Sequence, residues 1–200
     1  MTMARMRIPL FPLNNVLFPG GVLPLRIFEP RYLEMVSTCM KEGTGFGIAL
    51  ILSGHEVGEA AKTYDIGSYN RIIDWTMRDD GFLGLSVQSE GRFRILATEV
   101  RPNQLILADV EMLEEPPAQD FPPEYSLAID LLRDIIAKVG GHYAEISPHY
   151  DDPAWVSGRL AELLPIELIQ KQHLLQMDDP LQRLERLCAM WDCMENEEES

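Results

Sequence analysis

The chain has 200 residues, of which 46% are hydrophobic, and a formal net charge of -15. This length and composition suffice for one large domain or two small ones that fold without a disulfide or a structural metal. No run of about twenty apolar residues is present, so the sequence predicts no membrane span and no membrane partner.

The charge distribution and the cysteines indicate which cellular compartment and which partners to expect. Residues 1–113 carry a balance of about -2, whereas residues 114–200 carry about -13, which is expected to repel nucleic acid. Cys39, Cys188 and Cys193 form an odd set without the paired spacing of a zinc site. We therefore expect a reducing, cytoplasmic location and no nucleic-acid partner.

The first half predicts short strands and one early helix. Pro30 stands at a first helical position, and apolar residues recur at helical spacing from Tyr32 to Met40 until Gly43 ends the pattern. Asp79-Asp80-Gly81 is typical of a β-hairpin turn. The predicted strands cover approximately residues 7–10, 22–27, 46–52, 62–64, 69–75, 82–87, 92–98 and 105–113. We expect a compact, mostly antiparallel barrel or folded sheet.

The second half predicts helices only. Prolines at 116, 117, 122 and 123 mark a connector that cannot pair into a sheet. Beyond it, helices are expected over about 128–139, 155–164, 166–177 and 181–191, the last one capped by Asp179 and Pro180. The predicted domains are a barrel at 1–113, a connector at 114–123, a helical bundle at 124–194 and an acidic tail at 195–200. The fold class is therefore α+β.

The chain offers no pattern for enzyme chemistry. No Gly-Lys-Ser or Gly-Lys-Thr is present, and the glycine-rich segment 43–47 precedes a strand instead of opening a helix. Ser86 reads as the polar side of a strand, and Cys39 lies on the apolar face of its helix. His55-Glu56 begins like a zinc motif but lacks the second histidine. We assign no catalytic residue, no metal ligand and no cofactor.

Two aromatic residues flank the predicted hairpin turn. Trp75 and Phe82 are candidates for an exposed contact with a partner polypeptide. The alternative is a cross-strand pair that stabilises the hairpin.

Several segments along the chain form one recognisable pattern. The pattern is dense over 8–13, 16–20 and 23–32, and it continues at 57–58, 64–67, 71–72, 80–81, 91–95, 159–166 and 171–175 and at Asp178, Arg183 and Leu184. Together these segments cover roughly residues 6–190 and resemble the Lon protease N-terminal domain family. The resemblance implies a PUA-like β pseudo-barrel followed by a helical bundle, and a role similar to the substrate-capture arm that precedes the ATPase and peptidase of Lon. We expect a stand-alone member that lacks both of those segments.

Within the matched segments, most residues have structural explanations. Phe28 and Tyr32 are expected to seal the open end of the barrel, and Glu29 or Arg31 to form a local ion pair or bind backbone carbonyls. Arg31 and Tyr32 are nevertheless our candidates for polypeptide contact, beside Trp75 and Phe82.

The leading hypothesis is a non-catalytic module that binds unfolded or apolar polypeptide segments, or a protease or chaperone partner. One alternative is an RNA-binding PUA-like protein, supported by Arg71, Arg78, Arg92, Arg94 and Arg101. Another is a small-molecule-binding domain or a hydrolase, which would require a polar cluster that only the structure can reveal. The sequence does not determine the oligomeric state.

Overall fold

A computed structural model describes residues 5–198, except for the side chains of residues 144–145 and 192–198. The chain divides into two compact units, Met1–Glu115 and Pro116–Ser200. The domain limits at residues 113, 123 and 194 remain predictions. In the structure the last strand ends at Met112, and the first unit ends at Glu115.

The first unit contains seven strands and one long helix. The elements in chain order are β1 (Arg5–Leu13), β2 (Val22–Ile27), α1 (Pro30–Glu42), β3 (Phe46–Ser53), β4 (Lys62–Thr63), β5 (Ile66–Met77), β6 (Leu83–Val100) and β7 (Ile106–Met112). The strands form one largely antiparallel sheet, and the exception is the parallel pair of β1 and β3.

The strand pairings return to their starting point. β1 pairs with β7, β7 with β6, β6 with β5, β5 with β3, and β3 with β1. β2 pairs with β6 outside this ring, and the short β4 pairs with β3. Two adjoining apolar clusters fill the unit, one under α1 with Phe46 and Val87 and the other around Phe93 and Val110.

β6 corrects one sequence prediction. The runs at 82–87 and 92–98 are not two strands but parts of a single strand of 18 residues. The pairing with β5 shifts register where Tyr69 opposes Gly91 and Asn70 opposes Ser89, so that Glu90 is an extra residue in β6. A bulge of this kind bends a strand without ending it. Gly91 therefore lies at a bend within β6, although in the sequence it looks like a break between two strands.

α1 follows the predicted boundaries. Pro30 occupies the first turn, and Gly43 ends the helix with a left-handed φ of 64° that glycine adopts at little cost. Tyr32, Met35, Val36 and Cys39 are buried as predicted. Met40 was expected on the same face but is 44% exposed, because it lies at the margin of the apolar stripe, where a cavity adjoins the helix.

The second unit is helical. After a 3-10 turn (Pro123–Tyr125) come α2 (Ser126–Val139), α3 (His142–Glu145), α4 (Pro153–Leu163), α5 (Leu168–Leu175) and α6 (Pro180–Glu198). α4 contacts α2, α5 and α6 and carries the buried Val156 and Leu160. The predicted cap of α6 is confirmed, since Oδ1 of Asp179 accepts a hydrogen bond from the Leu181 amide at 2.9 Å.

The end of the chain is only partly described. The backbone of residues 195–198, predicted as part of an acidic tail, is helical, and residues 199 and 200 lie outside the described residues. Across the described part of the chain, no helix combines the length and hydropathy needed to cross a membrane.

Candidate functional site

Arg31, in the first turn of α1, is a buried charge that connects three loops. Its guanidinium lies 3.0 Å from the carboxylate of Glu29 and donates hydrogen bonds to the carbonyls of Gln104 at 3.0 Å and Glu56 at 3.4 Å. Only 5% of the residue is exposed. Both predicted contacts, the local ion pair and the backbone carbonyls, are therefore confirmed. Arg31 holds the β3–β4 loop and the β6–β7 turn against the start of α1.

Tyr32 follows Arg31 and is also buried. Its ring packs edge-on against Phe11 at 4.2 Å between centroids, and the Arg31 guanidinium lies 4.6 Å above it. Burial raises the pKa of the phenol to about 12, an effect that Arg31 opposes and that Glu29 and Glu56 reinforce. The hydroxyl is therefore neutral at physiological pH, and the buried ring forms part of the wall of an adjacent cleft.

That wall belongs to a cleft beside the start of α1, which we name the β2 cleft. It encloses about 250 Å³. Its lining consists of Phe11, Leu13, Pro24, Leu25, Arg26, Ile27, Phe28, Glu29, Tyr32, Glu56 and Val57. Phe28 and Val57 are 46% and 56% exposed. The cleft thus combines an apolar floor with apolar residues that face solvent, and the carboxylates of Glu29 and Glu56 add negative charge.

The hairpin tip packs onto the residues beside the β2 cleft. Phe82 meets Phe28 edge-on at 5.8 Å between centroids, and the guanidinium of Arg26 lies 4.2 Å above the Phe82 ring. Arg26 also pairs with Asp80 in the turn at 3.2 Å. The turn between β5 and β6 is therefore fixed to Arg26 of β2 by an ion pair and a cation–π contact, and to the following Phe28 by an aromatic contact.

The proposed cross-strand pair of Trp75 and Phe82 is wrong. The register places Trp75 opposite Leu85, whereas Phe82 lies opposite Arg78, whose amide donates to the Phe82 carbonyl at 3.0 Å. Because side chains alternate along a strand, residues three positions apart in register point to opposite faces. Trp75 and Phe82 therefore lie on different surfaces.

Trp75 lines another cleft, which we name the β5 cleft. It also encloses about 250 Å³, and it is bounded by Cys39, Met40, Gly43 and Thr44 at the end of α1 and by the consecutive residues 71–75 of β5. Trp75 is 54% exposed and Ile73 is 52% exposed. The cleft therefore presents apolar side chains to solvent from both of its walls.

Cys39 is the only ionisable side chain that the end of α1 contributes to the β5 cleft. It is 2% exposed, and its thiol donates to the carbonyl of Gly45 at 3.5 Å. Burial raises the pKa of this thiol, so it stays protonated and is a poor nucleophile. Among the described residues, no group of three or more His, Cys, Asp or Glu side chains could hold a metal ion.

The structure separates the four predicted contact residues into two groups. Arg31, Tyr32 and Phe82 lie in or beside the β2 cleft, and Trp75 lies in the β5 cleft. The sequence analysis missed Met40 and Val57 as exposed residues. The available signal was weak, since an apolar residue at the margin of a helical stripe or in a loop is usually covered. Direct polypeptide contact by the four residues stays a prediction.

The sequence from residue 7 to residue 191 matches the family described as the ATP-dependent protease La (LON) substrate-binding domain. The chain belongs to this family. It is 27% identical over 202 residues to Lon protease from Escherichia coli (strain K12) and 23% identical over 177 residues to Lon protease from Anaeromyxobacter dehalogenans. These alignments cover 94% and 84% of this chain but 25% and 21% of those relatives. The chain thus spans about a quarter or less of their length.

Solved structures agree with this membership. The Lon N-terminal domain protein from Xanthomonas campestris is 38% identical and superposes with a TM-score of 0.77, covering 92% of this chain and 98% of that one. The N-terminal domain of Mycobacterium avium complex Lon protease superposes with a TM-score of 0.63 at 16% identity, covering 91% and 96%, and shows the shared fold alone. The family match is to the substrate-binding domain, and it confirms the resemblance seen in the sequence.

Proposed function

We propose that this Lon-family domain is a non-catalytic module that binds unfolded polypeptide segments through exposed apolar side chains. The observation that carries the proposal is family membership, because the family is named for substrate binding in a protease, and the substrates of a protease are polypeptides. The β2 and β5 clefts supply suitable chemistry. Each adjoins apolar residues about half exposed to solvent, and such groupings on a folded surface are typical of binding sites.

The state of the nucleophilic side chains supports binding without catalysis. The buried Cys39 thiol has a raised pKa and no activating base within the described contacts. Ser86 lies within β6, where it pairs with Pro24 of β2 and Asp74 of β5. We therefore propose that the domain acts without chemistry of its own, either on unfolded polypeptide or alongside a protease or chaperone partner, in the cytoplasm.

The proposal extends to the architecture. We infer that the closed ring of pairings from β1 through β7, β6, β5 and β3 is a pseudo-barrel of the PUA-like type, with β2 on its outside. We likewise infer that α2, α4, α5 and α6 form a helical bundle, supported by the contacts of α4 with the other three. A rigid sheet of this kind would hold both clefts in constant shape.

The arrangement of arginines gives RNA binding little support. Arg71 pairs with Glu90 at 3.2 Å, Arg78 with Asp80 at 3.3 Å, and the fully buried Arg92 with Glu115 at 3.1 Å. Three of the five arginines that favoured an RNA hypothesis thus already have acidic neighbours. Since phosphate binding needs several cations acting together, polypeptide is the better supported ligand.

The test is an anisotropy titration with a fluorescently labelled, permanently unfolded polypeptide rich in apolar residues. Saturable binding is expected, and Phe28→Ala or Trp75→Ala should weaken it about fivefold, because loss of a contact worth about 1 kcal/mol changes affinity by that factor. Val100→Ala is the matched control, since Val100 is 52% exposed and lines neither cleft. Equal losses in all three variants would exclude the clefts, and failure of the unmodified protein to bind would overturn the proposal.

A further inference from the structure

β5 has one edge that is only partly paired. Along its entire length, Ile66–Met77, it pairs with β6. On its other edge it pairs with β3 at Ser68, Tyr69 and Asn70 only. From Arg71 to Met77, no strand within the described residues pairs with this second edge. The distal half of β5 is therefore an edge strand, although it lies beside strands of a closed ring.

The register identifies the backbone groups that face this edge. The Arg78 amide donates to the Phe82 carbonyl, and the Arg78 carbonyl accepts from the Gly81 amide, so both backbone groups of Arg78 point toward the β6 side of the hairpin. In an antiparallel ladder, hydrogen-bonded and non-hydrogen-bonded pairs alternate. The pairs of Met77 with Leu83 and Trp75 with Leu85 are then of the second kind. The amides and carbonyls of Trp75 and Met77 consequently point away from β6, toward the open edge.

Little protects this edge. Proteins commonly block an edge strand with proline, lysine, bulges or a covering loop. Residues 71–77 contain no proline and no lysine, and the one irregularity is the register shift between Ile72 and Asp74. The side chains of Ile73, Trp75 and Met77 are 52%, 54% and 64% exposed. From Asp74 to Met77 the pairing with β6 is therefore regular, apolar Trp75 and Met77 alternate with Asp74 and Thr76, and no described strand pairs with the other edge.

The β5 cleft lies along the same edge. A cavity on one face of a strand contacts every second residue, because side chains alternate. The β5 cleft is instead lined by five consecutive residues, 71–75, with Cys39 and Met40 opposite. The cavity therefore borders the backbone edge itself, and its volume of about 250 Å³ can receive a side chain from a chain lying there.

We propose that an extended segment of an unfolded polypeptide binds by adding a strand to the edge of β5 between Arg71 and Met77. Its backbone pairs with the outward groups of Trp75 and Met77, and a side chain enters the β5 cleft. The inference rests on the proposed function and adds the mode of binding. An extended backbone is the ligand that matches a row of alternating donors and acceptors. A second copy of this chain is disfavoured, because each copy carries a net charge of -15.

The decisive test changes the ligand and leaves the protein intact. The probe is a short synthetic peptide in which valine and phenylalanine alternate with serine, together with two versions N-methylated on alternate residues, so that each blocks one edge. Strand addition predicts that one methylated version loses at least tenfold in affinity while the other binds like the parent. Equal binding of all three peptides would overturn strand addition and leave the proposed function standing. If neither the parent peptide nor unfolded polypeptide binds, both strand addition and the proposed function are overturned.

Amide hydrogen exchange gives an independent readout. On addition of the parent peptide, exchange at Trp75 and Met77 should slow at least tenfold, while the amide of Val100, a β6 residue that lines neither cleft, serves as the reference. Unchanged exchange at both residues in the saturated complex would contradict the proposal. Slow exchange without peptide, accompanied by a dimer in sedimentation, would assign the edge to a second copy instead and also overturn it.

A pair of variants separates the backbone from the side chain. Trp75→Ala removes the ring and keeps the amide, whereas Trp75→Pro also removes an amide that makes no bond to β6, a position where edge strands tolerate proline. Strand addition predicts that the proline variant binds the parent peptide at least threefold more weakly than the alanine variant. Equal affinities in two variants with the same circular dichroism spectrum would contradict it.

Discussion

Arg31 is almost completely buried, yet its contacts hold the loops that form the surface around it. Its charge is accommodated by the Glu29 carboxylate and two carbonyls. The Gln104 side chain accepts a hydrogen bond from the Ala60 amide at 3.1 Å, which ties the same two loops together again. A buried guanidinium with fixed partners therefore holds the boundary of the β2 cleft, and the more exposed Phe28 and Val57 are left for contact.

Replacing Arg31 should destabilise the fold. We expect Arg31→Met to lower the free energy of unfolding by about 3 kcal/mol, because it leaves Glu29 and two carbonyls without their cation. Denaturant unfolding measures the change. Arg94→Met, at an exposed position of the same unit, is the control and should change stability by less than about 0.5 kcal/mol. Equal effects of the two substitutions would exclude the central role of Arg31.

Tyr32 predicts a pH dependence at the alkaline end. Burial raises its pKa from an ordinary value of 10.0 to about 12, so the unfolded chain loses this proton first as the pH rises. The stabilising contribution is complete below pH 10 and is lost between about pH 10 and 12, with a slope of at most about 1.4 kcal/mol per pH unit. Denaturant unfolding of the protein and of Tyr32→Phe across this range should show a difference that changes only above pH 10. Parallel curves throughout would contradict the assignment.

At the scale of elements, the ring of strands requires close backbone contact where β5 passes β3. A Cβ atom on Gly67 would lie 2.4 Å from the carbonyl oxygen of Ile48 and 2.8 Å from the Phe93 ring. The first atom belongs to the backbone of the neighbouring strand and cannot move aside cheaply. Glycine is therefore required here by space and not by its φ angle.

We expect Gly67→Ala to destabilise the protein by about 2 to 3 kcal/mol, measured by thermal or denaturant unfolding. Gly91→Ala provides the matched control in the neighbouring strand, because its Cβ would meet only the Met112 side chain at 3.7 Å. That variant should stay within about 0.5 kcal/mol of the original protein. A neutral Gly67→Ala would show that β3 and β5 adjust their separation freely.

At the scale of the whole molecule, charge determines which macromolecules can approach. The net charge of -15 opposes a polyanion at long range, although screening beyond roughly 10 Å at 0.1 M salt limits this repulsion. An unfolded apolar segment carries no such penalty. The same charge is therefore compatible with polypeptide binding.

Structured and single-stranded RNA should accordingly show no saturable binding in the low micromolar range at physiological salt. The measurement is an anisotropy titration run beside the unfolded polypeptide, which serves as the positive comparison. Tight RNA binding that weakens steeply with added salt, together with no response to polypeptide, would reverse the order of the two hypotheses.

Much of the local structure was predictable because its causes are local. Pro30 and Gly43 bound α1 through their own backbone preferences, and Asp79-Asp80-Gly81 lies in the turn between β5 and β6. Segments at 8–13 and 23–32 carried the family resemblance that the match over residues 7–191 fulfils. Of the candidate site, the sequence indicated Trp75, because it is an aromatic residue beside a turn, and the contacts of Arg31, because it lies in a segment that carries the family resemblance.

The rest was decided only by tertiary structure. Periodicity indicates which residues share a face, but what covers that face depends on strands far apart in the chain, such as β1 and β3 in their parallel pair. The continuity of β6 through Glu90, the exposure of Met40 and the register that separates Trp75 from Phe82 all depend on such pairings. The open edge of β5 has the same origin. β3 stops pairing at Asn70, and no property of residues 71–77 alone indicates where a neighbouring strand ends.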